Sequence, residues 1–151
     1  MIRVNVGTVS VHRVFNDNGS SVNVLYYEAY NRLGLRDKDM EKEESYVYGF
    51  CGEIVKVKGT IDLPITIKEE HLSATQDIQF MVIDQESSYN ILLGRPFLKE
   101  MRVITFVHYL SIKFPTPYGT GCIRMQQEDY KKCYDDSMIR FQKKRDTDQS
   151  K

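Results

Sequence analysis

The segment Asp17-Asn18-Gly19-Ser20-Ser21 sets one carboxylate ahead of a glycine and two serines. A carboxylate at the end of a strand can take or give a proton if a reacting group reaches it. Gly19 lets the backbone come close to whatever the carboxylate handles. On its own the string is ordinary turn chemistry, because Asp, Asn, Gly and Ser all favour turns. Its meaning depends on the elements around it.

Before it, Val9-Ser10-Val11-His12-Arg13-Val14-Phe15 largely alternates apolar with polar residues, the period of a half-buried strand. After it, Val22, Leu25, Tyr26, Ala29, Tyr30 and Leu33 have the spacing of a helical stripe. That spacing predicts a helix from Val22 to Leu33, with a serine as N-cap and Gly34 just past its end. Asp17 is therefore expected on a strand-to-helix turn. Upstream, residues 4–11 read as a hairpin turning near Gly7, and residues 36–45 as a charged loop. Residues 46–67 read as a long hairpin with a glycine-flanked tip, its second arm alternating Val55 and Val57 with Lys56 and Lys58. A strand is expected over 77–83. A short apolar run, 91–98, ends at Gly94-Arg95-Pro96, where Pro96 suits the first turn of a helix. One or two further strands fit 103–114. Beyond them Pro115, Pro117, Gly119 and Gly121 mark a boundary, followed by one amphipathic helix within 126–144 and a disordered end. The expected organisation is a domain over 1–116 and a C-terminal extension over 117–151.

Composition narrows the functional classes. The 151 residues suit one small domain, and abundant Tyr, Phe, Val and Ile favour strands. With 21 basic and 21 acidic residues, no global field draws in nucleic acid or an anionic membrane. No apolar run approaches the roughly 20 residues that span a bilayer, and no leader pattern opens the sequence. Cys51, Cys122 and Cys133 are odd in number and lack Cys-x-x-Cys spacing, which suits a reducing, cytoplasmic setting. His12, His71 and His108 are scattered without metal-ligand spacing, and no phosphate loop or dinucleotide fingerprint is present. No metal or organic cofactor is expected.

Four strings in fixed order carry a resemblance: Asp17 to Leu25, Gly49-Phe50-Cys51-Gly52, Ser87 to Pro96, and Ile112 to Thr116. Together they resemble the retropepsin-type aspartic protease region of plant gypsy-type retrotransposon polyproteins, over roughly residues 3 to 135. The resemblance implies an all-β, single-lobe closed barrel with one or two short helices. It makes Asp17 the catalytic aspartate, with Gly19 and Ser20 on the cleft floor. Gly49, Phe50, Cys51 and Gly52 become a flap tip closing over an extended peptide. Leu92, Leu93 and Gly94 become an apolar loop buttressing the Asp turn, with Leu92 also lining a substrate pocket. Arg95 would begin the short helix and reach toward a second subunit. Ser111 to Phe114 would be the strand that builds the dimer sheet.

Aspartic proteolysis needs two carboxylates sharing a proton, one activating a water and one donating to the scissile carbonyl. The sequence holds one Asp-x-Gly-Ser, so a twofold homodimer must supply the second. The expected activity is an aspartic endopeptidase cutting its own element's polyprotein, with no nucleic-acid or membrane partner for this domain. Two residues depart from the family pattern. Asn18 replaces a Thr or Ser hydroxyl that links the two Asp turns, and Asn16 replaces an apolar residue. If buried without partners, the Asn16 amide costs on the order of 1–3 kcal/mol. These departures suit an alternative: a catalytically inactive retropepsin-like dimerisation or peptide-binding module.

Overall fold

The computed structural model describes residues 2–48, 52–106 and 111–124. Strand β1 (Ile2–Val6) buries Ile2, Val4 and Val6 and turns at Gly7-Thr8 into β2 (Val9–Asn16). In β2 the alternation shifts at Arg13, whose φ of 54° accompanies a bulge between the Ile2–Val14 and Val4–Val11 pairs. The extra residue turns Val11 and Val14 into the barrel and Phe15 to a second apolar cluster beside Asp17.

The chain does not enter a helix after Asp17. It forms β3 (Val24–Tyr26), and helix α1 (Tyr27–Arg32) begins only at Tyr27, with Tyr26 as N-cap and no side-chain cap bond. The stripe spacing fits both readings for residues 22–26; the partners decide. β3 lies between β6 (Leu72–Ile83), which it pairs in parallel, and β7 (Ile91–Leu93), which it pairs antiparallel. Ala29 and Tyr30 do face the core from α1, and Gly34, at φ 77°, follows the helix end as expected.

The charged segment is not all loop. A single 3-10 turn spans Asp37–Asp39, and β4 (Glu41–Tyr48) starts at Glu41 and pairs with β5 (Ile54–Glu69). Val55 and Val57 are buried as expected, and the Lys58 ammonium sits 3.9 Å above the Tyr27 ring. β5 and β6 form the longest hairpin, so the strand expected over 77–83 starts earlier, at Leu72. The order β1-β2-β7-β3-β6-β5 closes through pairing of β5 with β1 at Val6–Ile65, with β4 outside, paired to β5. The protein is thus a mostly β closed barrel with two short α-helices among the described residues.

After β7, helix α2 (Arg95–Glu100) carries Pro96 in its first turn. β8 (Ile104–Phe106), β9 (Ser111–Thr116) and β10 (Gly119–Arg124) make a second sheet in the order β10-β9-β8. The turn-rich segment after Pro115 is therefore a hairpin that continues the sheet past residue 116. The amphipathic helix expected over 126–144 lies outside the described residues. Phe114, Phe97, Phe80 and Tyr30 are fully buried in the main core. Each contributes roughly 1.5–3 kcal/mol of apolar burial.

β10 sits tightly against that core. A Cβ on Gly121 would stand 2.2 Å from the Phe114 ring, which is itself fully buried. Gly121→Ala should destabilise the protein by about 1–3 kcal/mol, read as a lower denaturant midpoint. A change below about 0.5 kcal/mol would mean that β10 does not pack on the barrel.

Candidate active site

β2 ends at Asn16, and the chain turns sharply over 17–22 before β3. β7 runs parallel to β2, with Phe15 opposite Leu92 and Asn16 opposite Leu93. This brings the two halves of the site into backbone contact. Asp17 N–H donates to Leu93 O at 2.8 Å, and Arg95 N–H donates to Ser20 O at 2.9 Å. Within the turn, Gly19 N–H donates to Asp17 Oδ1 at 2.9 Å and Ser20 N–H to Asp17 O at 3.2 Å. The Ser20 hydroxyl donates to Val22 O at 2.7 Å and accepts from Val22 N–H at 3.3 Å. The half-buried Asp17 carboxylate is thus oriented by the N–H of Gly19.

Gly94 is required by this closeness. A Cβ there would lie 2.3 Å from Val22 O and 2.8 Å from Ser20 O, both backbone atoms that cannot step aside. Asp17, Gly19, Ser20, Leu93, Gly94 and Arg95, separated in sequence, therefore meet in one knot of backbone bonds. Asn18 is exposed on the turn. Gly52 is exposed just before β5, while Gly49, Phe50 and Cys51 lie outside the described residues.

The sequence reading missed the residue that ties this knot to the barrel. Asn23, 4% exposed, accepts with Oδ1 from Gly94 N–H at 2.9 Å and Phe97 N–H at 3.3 Å. Its Nδ2 donates to Gln79 O at 3.1 Å. One buried amide thus satisfies two free donors at the start of α2 and an acceptor on β6. A lone polar residue inside the apolar run Val22-Asn23-Val24-Leu25 was the available signal, but it lies off the helical stripe of Val22, Leu25, Tyr26, Ala29, Tyr30 and Leu33.

Beside Asp17, Phe15, Val24, Val55, Ile83, Tyr89 and Leu92 form a second apolar cluster, with Val22 and Tyr26 packed against it. Phe15 and Tyr89 stack with ring centroids 5.0 Å apart. Leu92 therefore belongs to this wall. Val55 carries the wall onto β5. Burial pushes the Tyr26 phenol above its ordinary pKa; a hydrogen bond with Ser87 works the other way, and the Asp17 and Glu53 carboxylates add to the rise. The phenol stays protonated through acidic and neutral pH and can donate there. Among the described residues, no three His, Cys, Asp or Glu side chains group to hold a metal ion. Nor is any described helix long and apolar enough to cross a membrane.

No protein-family model and no curated protein matches the chain. Solved structures do. The chain is similar to the retroviral protease-like domain of Ddi1 from Leishmania major, at 15% identity and a TM-score of 0.62, over 83% of this chain and 94% of that one. It is also similar to EIAV protease, solved with the inhibitor HBY-793, at 24% identity and a TM-score of 0.50, over 70% and 90% of the two chains. A retropepsin-like aspartic protease from Rickettsia conorii matches more weakly, at 19% identity and a TM-score of 0.48, over 70% and 74%. The structural neighbours are retropepsin-like aspartic protease domains, and the fold of this chain is theirs.

Asn23→Ala removes the acceptor of two buried N–H groups and the donor to one carbonyl. Each unsatisfied group costs roughly 1–3 kcal/mol, so a loss of about 3 kcal/mol or more is expected in urea unfolding. A loss under about 1 kcal/mol would show that the Asp17 turn does not depend on this amide.

Proposed function

We propose that this chain is an aspartic endopeptidase that works as a homodimer, with Asp17 of each copy forming the catalytic pair. The observation that carries this reading is the position of Asp17. The aspartate of the one Asp-x-Gly-Ser string stands where β2 ends, on a turn bonded to Leu93 and Arg95, in a barrel whose neighbours are aspartic protease domains.

In the proposed reaction one carboxylate of the pair takes a proton from a water as it attacks the peptide carbonyl. The other carboxyl, protonated, donates to the carbonyl oxygen. Two close carboxylates hold one proton between them because both cannot easily ionise, so the pair titrates as a unit. As the sequence resemblance implies, Gly49-Phe50-Cys51-Gly52 would be the flap tip that closes over an extended peptide and excludes water. The wall of Phe15, Tyr89 and Leu92 suits apolar or aromatic side chains flanking the cut. Junctions of a retrotransposon polyprotein, as the sequence resemblance implies, are the natural substrates.

A second reading, a dimerisation or peptide-binding module without turnover, is favoured by one observation. Asn16 Oδ1, next to the catalytic position, is buried with no hydrogen-bond partner. The two readings separate on activity. Micromolar protein, offered a peptide library between about pH 4 and 7, should cleave at apolar junctions, with a rate per chain that falls on dilution. Asp17→Asn should bring turnover to background while leaving the fold intact. A folded, dimeric wild type with no turnover at any pH would leave the binding module.

A further inference from the structure

Asparagine stands on both sides of Asp17, and the two side chains are held differently. Asn16 is tied down: its Nδ2 donates to Thr105 Oγ1 on β8 at 3.2 Å. Asn18 is exposed, and its amide hydrogen-bonds to no described residue. The residue after it, Gly19, is exposed as well. Of the asparagines in the sequence, Asn18 alone precedes a glycine. That pairing has a chemistry of its own. An asparagine amide carbon is an electrophile within reach of the next residue's backbone nitrogen, and a glycine there puts no Cβ in the way.

The turn sets a base on that nitrogen. Gly19 N–H donates to Asp17 Oδ1 at 2.9 Å, and Ser20 N–H donates to Asp17 O at 3.2 Å, closing the turn around Asn18 and Gly19. The N–H bond lies in the peptide plane, whereas attack uses the nitrogen's electrons perpendicular to that plane. Asp17 is therefore placed to take the proton while the nitrogen attacks Asn18 Cγ. The Asn18 side chain, not pinned by a described neighbour, can rotate to meet it.

We propose that Asn18 is a site of self-modification, in which the Gly19 nitrogen displaces the Asn18 side-chain amide with Asp17 as the base. A bond forms between Gly19 N and Asn18 Cγ, and the Cγ–Nδ2 bond breaks. The proton passes through Asp17 to the leaving nitrogen, which departs as ammonia. Water then opens the cyclic imide and leaves an aspartyl or isoaspartyl residue at position 18, with no oxidation or reduction. Either product sets a new negative charge beside Asp17. The isoaspartyl product also lengthens the main chain by a methylene between Asp17 and Gly19, so the bond from Gly19 N–H to Asp17 Oδ1 loses its geometry.

Pairing decides which chains are modified. This part rests on the dimeric protease reading, in which the two Asp17 turns meet across the twofold and cover both copies of Asn18. The exposed state then belongs to the unpaired chain. Self-modification removes chains that fail to pair, and pairing protects the rest by mass action.

The purified chain is aged in mildly alkaline buffer and followed by intact mass and by fragmentation that locates isoaspartate. A gain of about 1 Da confined to residue 18 is expected, with N18S, shown folded by circular dichroism, unchanged over the same time. No gain, or a gain spread at similar rates over the other asparagines, would overturn the site. Asp17→Asn, compared on unpaired chains, should be modified at residue 18 at least about tenfold more slowly. An equal rate would overturn the role of Asp17 as base. Sedimentation at the same concentrations gives the paired fraction, and where about nine chains in ten are paired the rate should be about tenfold below that of fully dissociated protein. Equal rates in paired and unpaired protein would overturn the protection. A chain that never pairs yet gains mass at residue 18 would uphold the site and remove only the dimer reading.

Discussion

The site depends on the close approach of two backbone segments, the turn after β2 and the corner after β7. Their bonds, Asp17 N–H to Leu93 O and Arg95 N–H to Ser20 O, form only if residue 94 has no Cβ. Once the segments touch, the first donors of α2 would be buried without partners, and the Asn23 amide resolves that by accepting two of them. The carboxylate is thus held by main chain rather than by long side chains. Main-chain bonds lose little rotamer freedom, so the geometry is set before any substrate arrives.

The rest of the barrel serves this contact. β7 is three residues long, bonded at its two edges to β2 and β3, and buried on both faces, Ile91 and Leu93 in the main core and Leu92 in the second cluster. The bulge at Arg13 turns Phe15 out of the barrel interior and into the wall beside Asp17. β5 runs from its pairing with β4 to the closing pair with β1, so the outer hairpin and the barrel closure share one strand.

The parts of the fold legible in the sequence are those decided locally. The Val4–Val11 hairpin, the alternation of Val55 and Val57, the Gly-Arg-Pro helix start and Gly34 after α1 follow from neighbouring residues alone. The parts that were not legible are decided by distant partners. Val24-Leu25-Tyr26 fits a helical stripe as well as a strand, and only β6 and β7 on either side settle it. Glu41 and Lys42 look solvated, yet their backbone pairs with β5. Pro115 and Gly121 look like an ending, yet they face each other's neighbours across the β9–β10 hairpin. At the site, the motif strings named most of the knot, while Asn23 and Thr105 could not be found because their partners lie 71 and 89 residues away.

The central claim is that chemistry here needs one Asp17 from each of two chains, and a mixing experiment tests it most directly. Wild type and Asp17→Asn chains are combined at fixed total concentration, allowed to exchange, and assayed on a cleavable peptide. If only dimers with two aspartates turn over, the rate follows the square of the wild-type fraction and falls to about a quarter at an equal mixture. A rate that falls in simple proportion to the wild-type fraction would mean that each chain works alone, and would contradict the shared site.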